Sequence, residues 1–153
     1  MEMKIGEALR KRKLKISVAE SCTGGLISHK ITNIPGSSDY FERAVIVYSN
    51  DSKMQLLEVP KLIIESFGAV SRETARAMAE GIKRTSKSDL GLASTGIAGP
   101  GGSTPQKPVG LVYIALASNK PTVVKEYRFQ GSRHEIKEKA AMEALNMVLT
   151  ALS

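Results

Sequence analysis

Two apolar runs, each ending in a loop of small residues, constrain this chain more than any other feature. Ile16-Ser17-Val18-Ala19 reads as a buried strand and runs into Glu20-Ser21-Cys22-Thr23-Gly24-Gly25, which opens an apolar-periodic helix. Leu90-Gly91-Leu92-Ala93 reads the same way and ends in Ser94-Thr95-Gly96-Ile97-Ala98-Gly99-Pro100-Gly101-Gly102. Glycine lets the backbone turn sharply and lets a ligand approach the N–H groups closely. Taken singly, each loop is an ordinary tight turn, and neither spells the dinucleotide fingerprint or the P-loop pattern. As a pair at strand ends they predict a small-molecule crevice at the carboxyl edge of an α/β sheet. Ser21, Thr23 and Gly24 in one loop, and Thr95 and Gly96 in the other, are the candidate binding residues.

The rest of the chain supplies the sheet and its cover. Ile5, Ala8 and Leu9 mark a first helix, and a second is expected from about Thr23 to Thr32, broken by Pro35-Gly36. Ala44–Tyr48 reads as strand two, followed by a helix capped at Ser49 or Asn50 and another helical turn from Pro60 to Phe67. Ser71 opens the clearest helix, with Ala75, Met78, Ala79 and Ile82 on one face. Leu90–Thr95, Val109–Ala117 and Thr122–Phe129 are strands three to five, the last two joined by Asn119-Lys120-Pro121 as an antiparallel hairpin. Ser132 with Glu135 spells a capping box for a final helix carrying Ile136, Ala140, Ala144, Met147, Val148 and Ala151. The expected architecture is one α/β domain over residues 1–153, a three-layer α/β/α sandwich around a mixed five-stranded sheet.

A chain of 153 residues is enough for one domain with a real core. Charges recur from Glu2 to Lys15 and leave no signal-peptide apolar region. The single cysteine, Cys22, excludes an internal disulfide and fits a reducing, cytoplasmic compartment. With two histidines, His29 and His134, the chain has too few ligands for a zinc site, and no metal or cofactor is expected. The net charge of +7 raises the question of nucleic acid, but residues 1–15 alone hold six basic residues against two acidic ones. A basic helix end complements the helix dipole, and aromatic residues do not interleave with the basic ones as a stacking platform requires. The expected partners are a phosphorylated small molecule and further copies of the chain, with neither nucleic acid nor membrane.

One region gathers residues able to do chemistry. Ser38 follows a Pro-Gly turn at a possible helix start, Tyr48 ends a strand, and Lys53 falls near the third position of the next helix. The positive helix end and burial both favour a neutral amine there, the form a general base needs. On spacing alone the plainer description, a capping serine and a surface lysine, stands ahead. Arg133, in the first turn of the last helix, suits a phosphate. Its plain reading is an exposed arginine.

Several motifs in fixed order give these residues a context. Ala19-Glu20-Ser21-Cys22-Thr23-Gly24-Gly25, Pro35-Gly36-Ser37-Ser38, Val47-Tyr48-Ser49-Asn50 with Lys53, Gly68-Ala69-Val70-Ser71, Ser94–Pro100 and Lys107-Pro108-Val109-Gly110 resemble the C-terminal domain of the competence/damage-inducible protein CinA. That family is similar to stand-alone bacterial nicotinamide-nucleotide amidohydrolases. The resemblance covers nearly the whole chain. It implies hydrolysis of the carboxamide of nicotinamide mononucleotide to nicotinate mononucleotide and ammonia, by a serine–lysine arrangement without metal. Carried over, it implies Ser38 as nucleophile, Lys53 as general base and Tyr48 in the hydrogen-bond network. Ser21 then supports or binds, and Thr95 and Arg133 contact substrate. It also implies a domain working without the separate N-terminal domain of the larger members. Two alternatives stay open: a non-catalytic nucleotide-binding or regulatory module of the same fold, and a cysteine hydrolase using Cys22 at a helix start.

Overall fold

The computed structural model describes all residues, Met1–Ser153. The order of elements is α1 (Glu2–Arg12), β1 (Ile16–Glu20), α2 (Leu26–Thr32), a 3-10 turn (Ser37–Asp39), β2 (Phe41–Ile46), α3 (Asn50–Leu57), α4 (Lys61–Phe67), α5 (Arg72–Ser86), β3 (Leu90–Gly96), β4 (Leu111–Ala117), β5 (Val123–Arg128) and α6 (Arg133–Ala151). The strands lie in the order β2-β1-β3-β4-β5. β1 pairs in parallel with β2 and β3, and β3–β4 and β4–β5 are antiparallel, so the sheet is mixed and the last two strands form the expected hairpin.

Alternation along the strands divides the core in two. Ile16, Val18, Leu90, Leu92, Val112 and Ile114 face α1, α2 and α6. Ala19, Ala93, Ala115 and Ala117 face α3, α4 and α5. The second face is built from small side chains, which lets α5 lie close against the strands. Its Ala75, Met78, Ala79 and Ile82 are all buried, the face expected from their spacing. Ser71 caps α5 by accepting the Thr74 N–H, and the Ser132–Glu135 capping box of α6 is complete in both directions. No helix is long and apolar enough to cross a membrane.

Some element ends that bear on the site differ from the sequence reading. The glycines at 24 and 25 have positive φ, and α2 begins only at Leu26. β2 starts at Phe41 and ends at Ile46, so Tyr48 lies beyond the strand and is 62% exposed rather than closing a buried one. The α3 cap is Ser49, one of the two residues expected, which puts Lys53 at the fourth helical position rather than the third.

Chain direction decides where a ligand can go. From β1 the chain passes over one face to β2, then over the other face to β3 on the opposite flank of β1. The carboxyl end of β1 is therefore the switch point of the sheet, the place where open α/β sheets take their ligands. Ser21 is the first residue past it.

Candidate active site

The site follows from strand register. Glu20 pairs with Ile46 across β1 and β2, and the Val47 N–H donates to the Glu20 carbonyl at 2.8 Å. Ser21 thus stands beside Val47 and Tyr48 as they leave β2. Lys53, one turn into α3, leans back toward the start of its helix, as helical side chains do. Its Nζ lies 2.9 Å from the Val47 carbonyl oxygen, 3.3 Å from that of Tyr48 and 3.2 Å from Ser21 Oγ. Both side chains are buried, Lys53 at 1% exposure and Ser21 at 8%.

All three partners of the lysine are neutral oxygens. An ammonium donates to each of them. A neutral amine has two N–H groups for the two carbonyls and a lone pair for the third direction, where it accepts the Ser21 O–H. Desolvation holds the Lys53 pKa below its ordinary value. The arrangement can therefore withdraw a proton from Ser21, which is what an activated nucleophile needs.

Ser38 is elsewhere. It sits exposed in the 3-10 turn before β2, beside the Arg10–Asp39 ion pair at the amino end of the strand. The whole of β2, six residues and about 20 Å of extended chain, lies between that turn and the residues following Ile46. The serine that one chain brings to Lys53 is Ser21, and the expected Ser38–Lys53 pairing is not made within the chain.

The other expected residues line the same carboxyl edge with different roles. Arg133 donates from Nη1 to the Gly99 carbonyl at 2.7 Å and from Nη2 to the Tyr48 hydroxyl at 3.1 Å, joining the glycine loop to the segment that follows β2. Thr95 is buried and donates its hydroxyl to the Ala69 carbonyl at 2.8 Å. A side chain on Gly96 would meet Val112 Cγ2 at 2.6 Å and the Leu111 carbonyl at 2.7 Å, so packing against β4 accounts for that glycine. Thr23 is also fully buried, hydrogen-bonded to Glu20 and Ser94, and it shapes the loop from within. Gly24 forms part of an open pocket with Thr23, Gly25, Leu26, His29, His134 and Lys137.

Sequence reasoning missed Glu20. Its carboxylate has no exposure, yet accepts from the Thr23 hydroxyl, the N–H groups of Gly25, Ile27 and Ser28, and the Ser28 hydroxyl. It caps α2 from the strand, because the residue in the capping position, Gly25, has no side chain to do so. The available signal was an acidic residue at the end of an apolar strand beside an uncapped glycine turn. The Ser21 carbonyl accepts the Gly24 N–H at 3.1 Å, closing that turn. The N–H groups of Cys22 and Thr23, at its centre, donate to no oxygen of the chain. Cys22 itself is buried, and burial pushes its thiol up to about 12, which disfavours the thiolate that a cysteine nucleophile needs.

The family model of the CinA C-terminal domain matches residues 1–152. The chain belongs to the CinA C-terminal domain family. A CinA-like protein of Kosmotoga olearia is 52% identical over 144 residues, covering 94% of this chain and 35% of that protein. A CinA-like protein of Syntrophus aciditrophicus is 50% identical over 149 residues, covering 97% of this chain and 36% of its own length. The chain spans about a third of the length of the curated relatives it matches. Among solved structures, competence/damage inducible protein CihA from Agrobacterium tumefaciens is 42% identical with a TM-score of 0.95, covering 99% of this chain and 92% of that one. A competence or damage-inducible protein from Enterobacter asburiae is 31% identical with a TM-score of 0.96, covering 99% and 96%. The α/β architecture of this CinA domain is therefore that of its relatives.

Proposed function

We propose that this CinA domain is an amidohydrolase that converts nicotinamide mononucleotide to nicotinate mononucleotide and ammonia, with Ser21 as nucleophile and Lys53 as base. The observation that carries the chemistry is the 3.2 Å contact between Lys53 Nζ and Ser21 Oγ, both buried at the switch point of the sheet. Family membership supports the substrate class.

In the first half-reaction neutral Lys53 takes the Ser21 proton as Oγ attacks the carboxamide carbon. The C=O electron pair moves onto oxygen, and the N–H groups of Cys22 and Thr23, which donate to no oxygen of the chain, are the candidate donors for that oxyanion. Lys53, now an ammonium, returns the proton to the amide nitrogen. The C–N bond breaks, ammonia leaves and an ester to Ser21 remains. In the second half-reaction water gives its proton to Lys53 and attacks the ester carbon. Collapse of this intermediate returns the proton from Lys53 to Ser21 and releases the carboxylic acid, which loses its remaining proton to solvent as the carboxylate. Tyr48 and Arg133 hold the mouth of the cleft together with the glycine loop.

Ammonia release is measured with nicotinamide mononucleotide, free nicotinamide and glutamine side by side. Release from the mononucleotide alone is expected. Tight binding of the mononucleotide with no ammonia from any of the three would support the nucleotide-binding module instead.

A further inference from the structure

We infer that the pocket between α2 and α6, beside the Ser21 turn, is an anion site that takes the phosphate of the substrate. It is lined by Gly24, His29, His134 and Lys137. The inference rests on the amidohydrolase reading for the identity of the ligand, and on the pocket alone for its charge.

Three observations carry it. First, two imidazoles and an ammonium, drawn from different helices, converge on one open pocket that no acidic residue lines. The carboxylates nearest in sequence are engaged elsewhere: Glu135 accepts from the Ser132 N–H, and Glu138 pairs with Lys30 at 3.0 Å. Second, Lys137 is half-buried without a hydrogen bond or ion pair, whereas Lys139, on the same helix, bonds to the Gln130 carbonyl. Its Nζ stands 3.6 Å from where a Cβ on Gly24 would be, so the absence of a side chain at 24 keeps the pocket floor clear. Third, the Ser21 carbonyl and Gly24 N–H close a turn, which puts their Cα atoms within about 7 Å of each other. That separation lies within the reach of a mononucleotide. Arg133, the expected phosphate ligand, is already drawn to Gly99 and Tyr48 on another side of the cleft.

The full chain, labelled at histidine nitrogens, is titrated with inorganic phosphate while the two imidazoles are followed by NMR. Saturable shifts of His29 and His134 are expected, weakened about ten- to a hundred-fold by Lys137→Ala, the size of one charge-assisted contact. No saturable shift of either imidazole in the unaltered chain would overturn the anion site. A calorimetric arm uses Ser21→Ala, which blocks turnover, with and without Lys137→Ala. The second change is expected to weaken nicotinamide mononucleotide by the same factor and to leave nicotinamide riboside unaffected. Equal losses for the two ligands would overturn the phosphate assignment while leaving deamidation standing. Saturable phosphate binding with no ammonia release from any amide would do the reverse, sinking the amidohydrolase reading and keeping the anion site.

Discussion

Lys53 is useful as a base only when uncharged, and burial among neutral oxygens favours that form. The catalytic rate is therefore expected to rise with pH through a limb below 10.5, the ordinary lysine value. A pH profile of kcat/KM checks this, and a flat profile across that range would exclude lysine as the base. Lys53→Arg is expected to lose as much as Lys53→Met, on the order of 10²–10⁴ in rate, because a guanidinium stays protonated. Retained turnover in Lys53→Arg would mean that only positive charge matters. A neutral lysine near a helix start was one reading of the sequence, behind that of a surface lysine, and the burial that lowers its pKa was not readable from spacing. Nor was its partner, because Ser21 is 32 residues away and meets it only through the β1–β2 register.

At the scale of elements, the loops are held by caps, and these make the clearest stability predictions. Glu20 is the acceptor for the start of α2. Glu20→Gln is expected to destabilise the fold by about 2 kcal/mol or more, since hydrogen bonds to a charged acceptor contribute about 1.5–3 kcal/mol each. Urea unfolding measures it, and a change within a few tenths of a kcal/mol would contradict the capping role. Ser132→Ala, which removes the capping-box acceptor of α6, is expected to lose about 1 kcal/mol in the same assay. The helices with strong local signals, α5 with its Ser71 cap and α6 with its box, stand where their sequences put them. β2 does not. The apolar run Ala44–Tyr48 pointed to a strand. As an edge strand, β2 pairs only with β1, and its pairing starts at Phe41 and stops at Ile46. Val47 is buried by α3 and α5 rather than by strand pairing, and Tyr48 turns outward to Arg133. Local hydrophobicity cannot separate these two causes of burial.

The serine–lysine pair belongs to the whole molecule, since it exists only when β1, β2 and α3 are assembled. Its energetic consequence is also global. A lysine whose folded pKa lies below its unfolded value makes the unfolded chain the better proton binder between the two. Stability then rises with pH across that window, from the depressed folded value up to the ordinary 10.5. Compared with Lys53→Met, the native chain is expected to gain stability between pH 7 and pH 10, read from urea midpoints at both values; a constant difference would mean that the lysine is not desolvated. The sandwich and its five strands were legible in the alternation of apolar runs and small-residue loops. The serine beside Lys53 was not, because Ser21 and Ser38 both stand in small-residue turns, and only strand direction puts them at opposite ends of the sheet. The most direct measurement is ammonia release from nicotinamide mononucleotide by Ser21→Ala and Ser38→Ala, purified in parallel and checked for substrate binding. Ser21→Ala is expected to bind the mononucleotide and release no ammonia, while Ser38→Ala keeps turning over. Turnover by Ser21→Ala, with Ser38→Ala inactive, would contradict the assignment of the site.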